Sequence, residues 1–420
     1  MTRLRKVPVV VTCAILLIGC NPGEPVTDSQ SALQTETETD TESVIYAPAP
    51  APDIKVGQRP PSDTDEAGIW MMVDRSEERT KTSGSRVRDP AMNEYMKRVM
   101  CGLAGPYCPD VRVYIARVPH FNATMSPNGM MVVWTGLLLR VRNEAQLATV
   151  LGHEIGHYLR RHSIQRFRRI RDTYGALAFM SMGMAMVGIP LITDIAALAA
   201  QGSLSAFSRE HESEADAIGV KKISDAGYDP REASRVWRNI VEESKHSDKE
   251  RSFSFFLSSH PRPEDRQKEL EHRATEIIAK NPIAPRLSHT DRFRAAIAPW
   301  RERLLRDEIQ LREYKRSLGL MDMLIEDGFR VGELRYFKGE IYRLRDDEKQ
   351  NDRKAAMDEY EISLKLGGYP AEIHKSIGLL KLRMNETAQA TASFHKYLAL
   401  KPEAPERDYI LSLITPSNGS

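Results

Sequence analysis

His153, Glu154 and His157 fall within one run of eleven residues, Gly152 to His162 (GHEIGHYLRRH). A helix turns about 100° per residue, so positions four apart lie within roughly 40° of each other on one face. Two imidazoles so placed can bind one Zn²⁺, and a carboxylate directly after the first can act as general base towards a water that the ion polarises. His162 is five residues past His157; on a continuing helix it points well away and is expected at the surface. A third histidine within the same segment would need a glycine at 160 and the histidine at 163, where the chain has Arg160 and Ser163. The third protein ligand must therefore come from elsewhere.

The best source is Ser208 to Gly219, SREHESEADAIG. Glu212 and Asp216 are four apart and share a helical face. One can bind the metal while the other accepts the second ring N–H of a ligand histidine and fixes its tautomer. Glu210 and Glu214 fall on other faces and are read as solvated, and His211, about 100° from Glu212, is set aside.

The elements that must carry these residues follow from periodicity. Ala91 to Met100 reads as helix, Val111 to Ala116 alternates like a strand, and Met130 to Trp134 is a second strand. Pro127-Asn128-Gly129 between them marks a turn. A long helix is expected from about Asn143 through the histidine motif to Arg171. Tyr174 to Thr193 is free of charge but interrupted by Gly175, Gly183, Gly188 and Pro190, so it is expected to pack as broken helix rather than span a bilayer.

Sixty basic and fifty-eight acidic residues leave a net charge of +2, which gives no case for nucleic-acid binding. Arg160, Arg161, Arg166, Arg168, Arg169 and Arg171 crowd the end of the motif helix, as a solvated helix end or as an attraction to anionic lipid. Residues 1–20 read as a signal peptide ending in Leu17-Ile18-Gly19-Cys20, a lipobox in which Cys20 is lipidated; Asn21 after it implies the outer membrane. Residues 21–66 are poor in large apolar side chains and are expected to form a disordered tether, with order beginning near Ile69 or Trp70. Cys13 is lost with the signal, which leaves Cys101 and Cys108 to form a local disulfide in an oxidising compartment. From about Arg301 the chain is helical and charged. Gly378, Ala390, Phe394 and Pro402 sit at the small, small, aromatic and proline positions of a 34-residue tetratricopeptide repeat. An earlier copy offers Gly339, Tyr342, Ala356 and Tyr360.

HEIGH followed by Ser-Arg-x-x-Glu-x-Glu-Ala-Asp, Ser208 to Asp216, resembles metallopeptidase family forty-eight, the gluzincins that include HtpX and the CAAX prenyl proteases. The lipobox, the Asn-Ala-x-x-x-Pro-Asn-Gly stretch and the C-terminal repeats are similar to its BepA (YfgC) branch, here as a lipoprotein. The resemblance implies an α+β fold: a mainly helical zincin-like metallopeptidase domain with a small β-sheet over 67–280, then an all-α tetratricopeptide-repeat-like domain over 281–420. It implies one Zn²⁺ held by His153, His157 and Glu212, with Glu154 as base and Asp216 behind a ligand histidine. It implies a substrate edge strand near Asn122, Ala123, Pro127, Asn128 and Gly129, and places His260, in Ser259-His260-Pro261, as a regulatory fourth ligand or an oxyanion donor. The expected activity is endoproteolysis of unfolded or stalled envelope proteins at the periplasmic face of the outer membrane, with the repeats docking outer-membrane assembly machinery. The competing expectation is an assembly factor that acts by binding, with a largely silent protease.

Overall fold

The computed structural model describes residues 49–50, 52–172, 207–247, 259–260 and 263–414. The signal region, Cys20, the first part of the tether and the 174–193 stretch lie outside the described residues. Order begins well before Ile69. Asp53 N donates to Leu159 O at 2.7 Å, Ile54 is buried, and Tyr107 Oη donates to Ile54 O at 2.8 Å. Composition marked this stretch as tether, but one apolar side chain and a few long-range hydrogen bonds suffice to hold it. Helix α1 (Asp65–Thr82) then starts at Thr64, whose side chain accepts from Ala67 N.

Helix α2 (Pro90–Ala104) carries proline in its first turn, where no N–H is needed, and runs into a 3-10 turn over Gly105–Asp110. Cys101 and Cys108 form a disulfide across that junction. The sheet has three strands, β1 (Arg112–Ala116), β2 (Ala123–Met125) and β3 (Met130–Trp134), in the order β1-β3-β2. β1 runs parallel to β3, with Tyr114 opposite Val132, and β2 runs antiparallel to it, with Thr124 opposite Val132. The outer side of β1 is covered by residues 85–87, through Val87 N to Ile115 O and Arg117 N to Ser85 O. No described strand pairs with the outer side of β2, which makes it an edge strand among the described residues.

Next come α3 (Thr135–Arg140) and α4 (Glu144–Leu159), the motif helix, buried along its whole length. The expected run to Arg171 is broken: α4 stops at Leu159, Arg161 adopts a left-handed φ of 55°, and a new helical run covers 162–172. Helices α5 (Arg209–Asp225), α6 (Glu232–Ser244) and α7 (Pro263–Lys280) complete the part around the motif.

The remainder is helical: α8 (Thr290–Gln310), α9 (Tyr314–Glu326), α10 (Val331–Arg345), α11 (Asp352–Leu366), α12 (Glu372–Arg383), α13 (Thr387–Leu400) and α14 (Arg407–Ile414). α10 packs against α11 and α12 against α13 as hairpins. A Cβ on Gly339 would lie 2.5 Å from the Tyr360 ring, and one on Gly378 would lie 2.6 Å from that of Phe394. In each hairpin, then, an absent side chain makes room for an aromatic ring. Helix α8 also packs on α2, α3 and α4, so the C-terminal helices build directly on the core. No helix among the described residues is long and apolar enough to cross a membrane.

Candidate metal centre

Helix α4 is set by Asn143, whose side chain accepts from Gln146 N, and α5 by Ser208, whose side chain accepts from His211 N. The two helices cross backbone to backbone. A Cβ on Gly156 would stand 2.8 Å from Ala215 O, and one on Gly219 would stand 2.9 Å from His153 N. Glycine at both positions lets Glu212 on α5 reach the imidazoles of α4. Segment 259–260 adds His260, tied to the start of α5 by Phe207 N donating to Ser259 O at 3.2 Å.

His153, His157, Glu212 and His260 are all buried, and each offers one ligand atom within 4.8 Å of the others. The Nε2 atoms of His153 and His157 are 3.0 Å apart, and Glu212 reaches them at 3.6 and 3.4 Å. His260 Nδ1 lies 3.0 Å from Glu212 Oε1 and 3.2 Å from His153 Nε2. The edge of a tetrahedron around an ion with bonds of about 2.0–2.1 Å is about 3.3 Å, so this donor set fits zinc. Protonation fits as well. Burial, reinforced by the Arg266 charge at His153 and by His153 at His157, pushes both imidazoles below the usual histidine range, towards the neutral form that binds metal. Burial works against ionising Glu212, yet His260 and Arg266 hold it well below the usual carboxylate range.

His153 Nδ1–H donates to Asp216 Oδ1 at 2.9 Å, which leaves Nε2 free to bind. Asp216 in turn accepts two hydrogen bonds from Arg266, at 2.6 and 2.7 Å. Glu154 projects beside the four side chains of the cluster. Its Oε1 is buried, lies 3.4 Å from His260 Nε2, and makes no hydrogen bond among the described residues. Burial raises its pKa to about 7, partly offset by His260, Arg266 and the Met125 amide of β2. A buried carboxylate with an unused oxygen at the mouth of a ligand cluster is placed to accept a proton.

Sequence reasoning misread two features here. His162 is not at the surface: it is fully buried, with Nδ1 2.9 Å from His157 Nδ1. The turn at Arg160–Arg161 restarts the helix and brings His162 back over His157, in a conformation that no glycine or asparagine signals; Arg161 pairs with Glu66 there. Glu214 and His211 are likewise engaged. Glu214 Oε2 meets Arg160 Nε at 2.9 Å and His162 Nε2 at 3.2 Å, and the His211 ring stacks on His162 at 4.2 Å. The Arg266 guanidinium lies 3.7 Å over Trp237 and pairs with Glu212 at 2.8 Å. The arginine-rich stretch is met by acidic residues of the chain itself, Arg160 by Asp53 and Arg168 and Arg171 by Asp65. Of the expected edge-strand residues, Ala123 lies in β2 and Asn122 just before it. Pro127, Asn128 and Gly129 form the turn. Asn128 is buried and donates to Asp74 and Glu77, and Gly129 has φ 87°.

Helix-borne histidines, a carboxylate from a second helix and a short strand packed on the motif helix make up a centre of the metallopeptidase kind. Residues 87–274 match the family described as Peptidase family M48. The chain is similar to the beta-barrel assembly-enhancing protease of Escherichia coli K12, 26% identical over 46% of this chain and 41% of that protein. It is also similar to the mitochondrial metalloendopeptidase OMA1 of Arabidopsis thaliana, 32% identical over 38% of this chain and 30% of that protein. OMA1 of Schizosaccharomyces pombe is 30% identical over 40% of this chain and 48% of its own length. The chain thus spans less than half the length of these relatives.

Proposed function

We propose that this protein is a zinc-dependent endopeptidase, lipid-anchored through Cys20 at the outer membrane and facing the periplasm, that cleaves unfolded or misassembled envelope proteins. The observation that carries this reading is the buried His153–His157–Glu212–His260 cluster with Glu154 at its edge. The name of the Escherichia coli relative, a beta-barrel assembly-enhancing protease, supports a role in outer-membrane protein quality control.

Zinc held by His153, His157 and Glu212 would polarise the scissile carbonyl and a water beside it. Glu154 takes the proton of that water and returns it to the leaving amine nitrogen. The outer edge of β2 offers backbone donors and acceptors to an extended substrate, which suits unfolded chains because it reads main chain and not side chains. His260 Nδ1 occupies a ligand position, and we read it as a fourth ligand that holds a resting state and must swing away for turnover. The α10–α11 and α12–α13 hairpins, each with a glycine under an aromatic ring, support a tetratricopeptide-like region over 281–420 that docks substrates or assembly machinery.

Glu154→Gln tests the mechanism. The variant should keep one zinc per chain by elemental analysis while cleavage of an unfolded polypeptide falls by on the order of a hundredfold or more. Undiminished cleavage would refute the role of Glu154, and a metal-free wild-type protein would refute the reading as a whole. His260→Ala should raise basal cleavage in the same assay; a loss on the order of a hundredfold would mark it instead as an oxyanion donor.

A further inference from the structure

A histidine that binds metal through Nε2 carries its proton on Nδ1, and in a buried site that N–H needs an acceptor. For His153 the acceptor is Asp216. Among the described residues no carboxylate takes that place for His157; the Nδ1 of His162 does, at 2.9 Å. To accept there, His162 must carry its own proton on Nε2, and that atom faces Glu214 Oε2 at 3.2 Å. Arg160 Nε donates to the same carboxylate oxygen at 2.9 Å, and its Nη1 donates to Asp53 Oδ1 at 2.6 Å. His162 is held flat by stacking on His211 at 4.2 Å and 16°, and His211 Nε2 lies 3.0 Å from Gln165 Oε1.

We infer that His162 is a positioning residue for the metal centre: His157 Nδ1–H donates to His162 Nδ1, and His162 Nε2–H donates to Glu214. The relay fixes both tautomers and turns the free lone pair of His157 towards the other ligands. It is the counterpart, on the second histidine, of the Asp216–Arg266 support on the first. His162 is not itself a ligand, since its nearest nitrogen meets the far side of His157 and it stands outside the converging group. The relay also explains the break after Leu159, because only a restarted helix brings residue 162 back over residue 157.

This inference rests on the reading of the cluster as a zinc site, and the experiment separates the two. Metal-free full-length wild type, His162→Phe and Glu214→Ala are titrated with Zn²⁺ against a competing chelator. Their urea unfolding midpoints and their Co²⁺ absorption spectra are measured alongside. His162→Phe keeps a buried flat ring but no acceptor; its zinc affinity should fall about 10- to 100-fold, with an altered Co²⁺ band and a near-native unfolding midpoint. Glu214→Ala, at a partly exposed position, should fold normally and lose several-fold in affinity, so it carries the test if His162→Phe does not fold. Wild-type zinc affinity in the folded variants overturns the inference, and so does a lowered midpoint with unchanged affinity. A wild-type protein that binds no zinc overturns the metal reading along with it.

Discussion

Arg266 is where the buried charges of the centre converge. It meets Asp216 through two hydrogen bonds and Glu212 at 2.8 Å, and its guanidinium lies on the Trp237 ring. Removing one partner of such a cluster leaves carboxylates buried without their counter-charge, which typically costs about 3–5 kcal/mol. Arg266→Met should therefore destabilise the metal-free protein by roughly that much in urea unfolding. Arg266→Lys should fall between it and wild type, since the charge survives but the two-pronged contact does not. A wild-type midpoint in Arg266→Met would show that the pair contributes little. At this scale the pairing of His153 and His157 with the Glu212–Asp216 face was legible because metal binding restricts residue type and helical spacing restricts position, whereas Glu212 over Asp216, and His260, came only through the family resemblance. His162 could not. The direction of its side chain depends on a two-residue turn whose left-handed member is an arginine, and nothing local in Arg160–Arg161 announces that turn. Arg266 stands five residues after Pro261 in the His260 segment, but its carboxylate partners Asp216 and Glu212 are 50 and 54 residues away in sequence.

The crossing of α4 and α5 sets how far Glu212 reaches. A methyl on Gly219 would press on His153 N at 2.9 Å and one on Gly156 on Ala215 O at 2.8 Å, whereas Gly152 has more room, its nearest contact being 3.3 Å. Overpacking of this kind costs about 1–3 kcal/mol. Gly219→Ala and Gly156→Ala should both lose stability in that range and weaken zinc binding, because the helix that carries Glu212 is pushed outward. Gly152→Ala should do less of both, and a reversed order in chelator titrations would count against the crossing as the control on ligand distance. Periodicity found α2 because it keeps one face buried over several residues, and β1 and β3 because each is a short run of apolar residues bounded by turn signals. It passed over β2, which has three residues and ends just before Pro127, too short to show alternation. It overran α4 for the opposite reason: apolar and polar residues keep helical spacing across the break, so the pattern continues where the backbone does not.

Across the whole molecule, the part that holds the metal centre and the helical remainder share a buried ionic cluster. Arg140 on α3 pairs with Glu243 on α6 at 2.8 Å and with Glu308 on α8 at 2.9 Å, and Arg316 on α9 pairs with Glu308 at 2.9 Å. Burial alone would raise the pKa of Glu308, but Arg140 and Arg316 outweigh it and bring it to about 2. A depressed carboxylate stabilises the fold above its ordinary pKa of 4.5 and stops doing so as pH falls towards 2. The metal-free protein should therefore keep its full urea midpoint down to about pH 5 and lose stability progressively below that. Glu308→Gln should start from a lower midpoint and show a shallower acid dependence. An equally steep fall in that variant would place the acid sensitivity elsewhere.

The same four side chains bear on how such a protein can be rearranged. Two of the helices that supply them come before residue 280 and two come after it, so a fragment ending there strands Arg140 and Glu243 beside a missing Glu308. Exchanging the C-terminal half with that of another chain has the same effect unless the incoming helices bring their own carboxylate and guanidinium to the same places. The joint does not fall at α10 either, because Arg301 on α8 pairs with Glu333 on α10 at 2.8 Å with both side chains buried, and losing α10 strands that arginine in turn. The apolar cluster of Ala390, Phe394, Tyr397 and Ile410 on α13 and α14 stands apart from the main core, and exchange of that terminal part is the kind expected to yield folded hybrids.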